Sequence, residues 1–293
     1  MSLSDAYKKL SVSLFGGVAE KNSESFKQLK PYLAGSGINI LLNTWTSMII
    51  LTSLLVYLVS LGTSVFFTIL LELDFITTIY YVLFLPILTA SISFVIMYIY
   101  PIQKTNSIKS SIDSDLPFAL AHMNAIASSG VPPEYLFSLL TNFKEYGDIS
   151  KAAGLVVRNI KTFGMSSTVA IRNVSERVPS KVFKQVLDGI VSTIETGGNL
   201  VEYLKEMSEK SLFDYRIKRE NYLKMLSTYA DIYTALLVAA PLMMMAVLGI
   251  MNLIGGNILG LSSPELIWLI TWVLLPVMNS AFILFIHVTY PGV

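Results

Sequence analysis

ITTIYYVLFLPILTASISFVIMY, residues Ile76–Tyr98, contains no charged side chain. A helix rises ~1.5 Å per residue, and about 20 apolar residues cross the ~30 Å hydrocarbon core of a bilayer, so this stretch reads as a membrane span. The uncharged tract around it runs from Asp74 to Lys104. Three others lie between Lys30 and Glu72, between Asp231 and Glu265, and from Leu266 to Val293. The expected spans are near Ile40–Leu61, Ile76–Tyr98, Ser227–Leu253 and Leu266–His287, with Gly62-Thr63-Ser64 beginning an interfacial extension of the first. Pro86, Pro241 and Pro276 fall inside spans, where neighbouring helices can satisfy a freed carbonyl.

The composition agrees. Of the 293 residues 53% are hydrophobic and 14% charged, too little polar surface for a soluble chain. The net charge of +1 supplies no field for nucleic acid, and the absence of Cys excludes disulfides, thiolate catalysis and thiolate-bound metal. Residues 1–37 carry charges and no apolar run, so no cleavable signal peptide is expected and the first span acts as the anchor.

Basic residues set the orientation. Five precede the first span, the other sixteen lie between Lys104 and Lys224, and none falls in the short connections that hold Glu72, Asp74 and Glu265. Placing one Lys or Arg at the bilayer centre costs about 2.5–3.5 kcal/mol, and loops rich in these residues stay cytoplasmic. The expectation is an all-α, polytopic protein of the cell (inner, cytoplasmic) membrane with both termini cytoplasmic. Its domains would be an amphipathic segment (1–37), two transmembrane helices (38–103), a cytoplasmic six-helix bundle (104–226) and two further transmembrane helices (227–293).

Punctuation residues divide the bundle. Asp115 caps a first helix entered through Pro117 and ended at Gly130, and Pro132-Pro133 opens a second that runs to Gly147. Asp148 starts a third, ended by Gly164. Ser166 caps a fourth, which ends before Pro179, and Ser180 a fifth, which stops at Gly197-Gly198. Asn199 and Glu202 have the capping-box spacing for the sixth. Between Leu200 and Ala240 there is neither Gly nor Pro, so the sixth helix should continue into the third span as a stalk. Glu206–Lys210, Asp214–Lys218 and Glu220–Lys224 are favourable i,i+4 pairs along it. Ile126–Leu136 and Ile194–Leu204 form a weak repeat offset by 68 residues, each copy ending in Glu-Tyr-Leu.

These stretches carry a resemblance. Asp115-Leu-Pro-Phe-Ala-Leu120, Ala127-Ser-Ser-Gly130-Val-Pro, Thr196-Gly-Gly-Asn-Leu200 and Tyr229–Pro241 resemble the type II secretion F-domain family, the inner-membrane platform proteins of secretion systems, type IV pili and the archaellum. Tyr7–Phe15 and Leu29-Lys-Pro-Tyr-Leu33 are similar to its archaeal branch. The resemblance implies a non-enzymatic platform that couples a hexameric cytoplasmic secretion ATPase to the extraction of pilins. With one F domain and four spans the chain is closer to the half-length platforms of tight-adherence pili. A homodimer, or a heterodimer with a sister half, is then expected.

No residue set points to chemistry or to a cofactor. Gly-Lys never occurs, so there is no phosphate-binding P-loop, and two His without Cys make a poor metal set. Gly260-Leu-Ser262 superficially matches a nucleophile motif, but the topology separates Ser262 from His287 by roughly 30 Å. The candidate sites are therefore surfaces. Lys104, Lys109, Arg216, Lys218, Arg219 and Lys224 form a basic collar that suits an acidic ATPase face, pilin tails or anionic lipid. Lys144, Lys151, Arg158 and Lys161 offer a second face away from the membrane. Gly130, Gly197 and Gly198 are structural turns, and Asp231 is an intramembrane polar group. The N-terminal stripe Leu3, Tyr7, Leu10, Leu14 and Val18 either lies in the membrane interface or packs on the bundle. The alternative function is a small transporter or channel with a regulatory cytoplasmic domain, which predicts polar, broken helices at the bilayer midplane.

Overall fold

The computed structural model describes residues 3–38, 40–71, 74–254, 257–258 and 261–289. Glu72 and Gly260, and the side chain of Leu3, lie outside the described residues. The chain divides into two compact units, Met1–Met207 and Ser208–Val293. The first holds α1 (Leu3–Lys21), α2 (Lys30–Gly35), α3 (Leu42–Leu70), α4 (Phe75–Ser128), α5 (Pro133–Leu140), α6 (Gly147–Phe163), α7 (Ser167–Ser175), α8 (Lys181–Glu195) and the start of α9 (Leu200–Tyr233). The second holds the rest of α9, a π turn (Thr234–Ala239), α10 (Ala240–Ile254), α11 (Ser263–Leu269), a second π turn (Ile270–Leu274) and α12 (Leu275–Thr289). Two-residue strands, Asn257–Ile258 and Leu261–Ser262, pair antiparallel between α10 and α11. Among the described residues, four helices are long and apolar enough to cross a membrane: Leu42–Leu70, Phe75–Ser128, Leu200–Ile254 and Ser263–Thr289. The protein is an all-helical, multi-pass membrane protein.

Helix α4 corrects the sequence reading most. Asp115 does not cap a new helix, because α4 runs unbroken from the second span to Ser128 with Pro86, Pro101 and Pro117 inside it. An interior proline costs about 3 kcal/mol, since it lacks an N–H and crowds the carbonyl four residues earlier. Against this, Ile112, Leu116, Leu120 and Met123 form a fully buried stripe that stays in phase only if the helix is continuous. Burying each such side chain contributes about 1.5–3 kcal/mol, so the stripe outweighs Pro117.

One apolar core draws on six helices. Leu116 and Leu120 of α4 meet Phe137 and Leu140 of α5, Val156 of α6, Ile171 of α7, Phe183, Leu187 and Ile190 of α8, and Leu204 of α9. Helix α5 stops at Leu140 rather than at Gly147, because a 3₁₀ turn at Lys144–Tyr146 brings Phe143 and Tyr146 against His122. Helix α3 likewise continues past Gly62 to Leu70. The Thr63 and Ser64 hydroxyls donate to Ser60 O and Leu61 O, both at 2.9 Å, and so satisfy themselves inside the helix.

The repeat has a register of 67 residues, not 68. Gly130 (φ 80°) corresponds to Gly197 (φ 71°) as the residue that leaves the preceding helix, and α5 and α9 then start at Pro133 and Leu200. Leu136 and Phe137 thereby match Tyr203 and Leu204, and the shared Glu-Tyr-Leu sits one position out of phase. Tyr203 lies across α8, its hydroxyl 3.2 Å from Val186 O and its phenol against Gly189. A Cβ at Gly189 would overlap that phenol. Gly189→Ala should therefore lower the thermal stability of the detergent-solubilised protein by about 1–3 kcal/mol. In a Tyr203→Ala background the same change should stabilise by about 0.5–1 kcal/mol, because Ala is the better helix former. A sign that does not invert in this double-mutant cycle would count against the packing.

Candidate interaction surfaces

Two basic groups come from α6 and the turn before it. Lys151 and Arg158 are seven residues apart, on one exposed face of α6 with Leu155 between them, and Lys161 occupies the adjoining flank. Lys144 is exposed on the 3₁₀ turn. Lys151 is drawn to Asp148 at 2.8 Å. Lys144, Arg158 and Lys161 make no ion pair among the described residues.

The collar residues fall on different units. Lys104 and Lys109 are exposed on α4 in the first unit, with Lys104 Nζ 5.9 Å from the centre of the Tyr100 ring. Tyr100 in turn stacks on Trp45 of α3 at 6.2 Å. Arg216, Lys218 and Arg219 are exposed on the part of α9 that belongs to the second unit. Of the three i,i+4 pairs on α9 only Glu220–Lys224 closes, at 2.9 Å, and Lys224 holds the Glu220 carboxyl below its ordinary range.

Asp231 is exposed on α9, away from α12. The opposite face of α9 meets α12 through Tyr229–Phe285 and Tyr233–Phe282, with ring centres 5.4 and 5.2 Å apart, and through a 3.0 Å hydrogen bond from the Tyr233 hydroxyl to Asn279 Oδ1. Ser262 caps α11 from the position before it, and its backbone N–H donates to Glu265 at 2.8 Å, a capping role that accounts for it without nucleophilic chemistry.

The glycines differ in kind. Gly130 and Gly197 adopt the left-handed conformation, whereas Gly198 N–H donates to Thr193 O at 2.8 Å and completes the wrap of the α8 carbonyl end.

Polar braces that the sequence did not reveal hold the bundle helices in register. Arg172 of α7 takes both carboxylate oxygens of Glu195 of α8 at 2.9 and 3.1 Å. The Ser175 hydroxyl donates to Asp188, and Ser180, which caps α8 by accepting from Phe183 N–H at 3.1 Å, donates to Asp113 of α4. Ser167 donates to Glu134 at 2.8 Å, and Thr105 to Tyr32 O at 2.7 Å. Between α7 and α8 lies an open recess of about 390 Å³ bordered by Arg172, Lys184, Asp188 and Glu195. Among these residues only Ser180 had a local signal, because the others pair across 13 to 73 positions.

Comparison with known proteins identifies the domain. Residues 119–248 match the family model of the type II secretion system (T2SS), protein F. The F-domain resemblance read from the sequence is thus borne out, over a stretch that begins in α4 and ends in α10 and includes Gly130, Gly197, Gly198 and Tyr229–Pro241. It points to a family of type II secretion and type IV pilus-like platform proteins. The N-terminal Tyr7–Phe15 and Leu29–Leu33 stretches lie outside the match. An uncharacterized protein of Methanocaldococcus jannaschii is 24% identical over 135 residues, which are 46% of this chain and 23% of that protein. The chain thus spans about a quarter of the length of that curated relative. No solved structure matches.

Inside the F domain's surroundings, Asp115 has a specific environment. Its carboxylate approaches the start of α6 at Gly147, where Asp148 adds a second negative charge. Burial, and then Asp148, push the Asp115 carboxyl above its ordinary 3.8. A carboxyl raised on folding favours the folded state fully below its unfolded value, and this contribution is lost as pH rises through the folded value. Asp115→Asn should therefore raise the thermal midpoint at neutral pH relative to wild type, and the difference between the two should shrink as pH falls toward 3.8. A midpoint-against-pH series in detergent measures both effects.

Proposed function

We propose that this chain is the membrane platform of a type IV filament or type II secretion-like machine, which couples a cytoplasmic hexameric secretion ATPase to pilin extraction and filament assembly. The observation that carries the reading is the F-domain match at 119–248, which takes in the end of α4, all of α5–α9 and the helix that continues into an apolar span. The protein works through surfaces: residues 104–226 face the cytoplasm with both termini, and the short connections at Asp74 and Glu265 face outward. Lys144, Arg158 and Lys161 are the ATPase-facing candidates, and Lys104, Lys109, Arg216, Lys218 and Arg219 serve lipid or pilin tails. A homodimer, or pairing with a sister half, completes the platform.

The transporter reading draws support from the π turns in spans three and four, yet no charged side chain lies within either turn. Specific solute flux in liposomes would revive it.

Two measurements test the platform reading. Co-purification from native membranes should recover a hexameric secretion ATPase, and Lys144→Glu, Arg158→Glu and Lys161→Glu together should weaken that binding by about 10-fold, or ~1.4 kcal/mol. Recovery of no ATPase, with normal filaments in a deletion strain, would sink it. Orientation is tested separately in this Cys-free chain. A membrane-impermeant maleimide applied to intact cells should label Glu265→Cys and spare Lys144→Cys.

A further inference from the structure

Helix α1 is amphipathic in an unexpected sense. The face it turns to α3 is not its leucine stripe: Ser11 and Ala19 are fully buried, with Tyr7, Lys8 and Phe15 half-buried beside them. Leu10, Leu14 and Val18 instead remain 52%, 61% and 49% exposed. The helix packs on the first span through this small-residue face, which leaves the leucine stripe turned away from α3.

The depth of α1 can be read from its neighbours. Trp45, stacked on Tyr100 beside Lys104, marks an aromatic belt of the kind that sits at a membrane–water boundary. The Tyr7 hydroxyl is buried beside Thr52 of α3, which lies roughly 10 Å further along that helix than Trp45 at ~1.5 Å per residue. Helix α1 therefore starts on the membrane side of the belt. Around it α3 exposes Leu55, Leu58 and Val59, side chains that only lipid covers on a spanning helix. The charges of α1 also suit a leaflet. Lys8 and Lys9 precede the leucine stripe and Glu20 and Lys21 follow it, with ten uncharged residues between, and long lysine side chains can reach headgroups from below.

We propose that α1 is a leaflet helix: Leu10, Leu14 and Val18 contact the acyl chains and headgroup boundary of the leaflet on the Lys104 side. The partner of this surface is the lipid itself. Three aliphatic side chains, continuous with the lipid-facing side of α3 and bracketed by lysines, match a bilayer boundary. The inference needs only the membrane reading, so its failure would leave the platform proposal untouched.

The test uses the full chain in liposomes of phosphatidylcholine and phosphatidylglycerol. Single nitroxide labels are placed at Leu10→Cys, Leu14→Cys and Val18→Cys, with Leu58→Cys as the lipid control and Val182→Cys on exposed α8 as the water control. Power saturation compares collisions with oxygen and with a neutral nickel chelate. The three α1 labels should favour oxygen several-fold relative to Val182→Cys, approaching Leu58→Cys, with Leu10→Cys the deepest. Chelate accessibility equal to that at Val182→Cys would overturn the proposal, and so would protection from both reagents, the signature of a protein partner. The three sites report independently, so one poorly assembled variant does not remove the test.

Discussion

Hydrocarbon offers no hydrogen bonds, so every backbone N–H and C=O that crosses a bilayer must be paired within the protein, most simply inside its own helix. The rest of this structure follows from how the chain meets that requirement. It does not end its helices where the membrane ends. The second span continues as α4 to Ser128, and the third is the far part of a helix that began at Leu200. The ends of these helices, with their unpaired polar groups, are thereby moved to places where capping groups are available. At the Leu200 end the Asn199 side chain accepts from Val201 and Glu202 N–H at 3.1 and 3.2 Å, and the Ser128 end closes through Gly130. A second consequence is mechanical. The core residues Leu116 and Leu120 share a helix with the second span, so helical backbone rather than loop links the apolar core to it.

The prolines show two solutions to one problem. In α4 the helix passes Pro86, Pro101 and Pro117 in ordinary α geometry, and all three prolines are buried. In the second unit each span proline follows a widened turn. Ala240, just before Pro241, donates to Ala235 O, and Leu275, just before Pro276, donates to Ile270 O, five residues back in both cases. A wider turn draws the crowded carbonyl away from the proline ring and gives the preceding N–H another acceptor. Tyr233 and Asn279 add a hydrogen bond across the two spans immediately before one turn and shortly after the other. The bundle stripe on α4 holds Pro117 in place by packing, whereas Pro241 and Pro276 each sit behind a widened turn.

What was legible in the sequence was local. Charge-free tracts gave the four apolar helices because the energetic penalty for a charge in lipid acts on each residue separately. Gly164 and Gly197 marked helix ends because left-handed backbone is open to glycine at almost no steric cost. Asp115-Leu-Pro117 misled because it has the form of an N-cap, and only the burial of Ile112 through Met123 on one continuous stripe shows why that local preference loses. The 68-residue repeat misled similarly, since identical letters can sit one position out of phase with identical geometry. Arg172–Glu195 and Thr105–Tyr32 join residues with no local spacing rule, and no single-sequence pattern could have paired them.

The distribution of those pairings bears on where partners can bind. Three of the five charges on α7 and α8 are engaged within the bundle: Arg172 is held by Glu195, and Asp188 by Ser175. Such groups already have a partner, although an exposed pair like Arg172–Glu195 is worth only about 0–1 kcal/mol. The α6 side differs. Arg158 and Lys161 carry charge without an ion-pair partner among the described residues, on a helix whose other face is anchored by Ile149, Ala153 and Val156 in the core. A charge on a rigid element, with its water as the only competitor, is the kind that steers an acidic partner into register. The F domain thus presents a braced side and an open side, and the asymmetry arises because the braces between α7 and α8 leave α6 out.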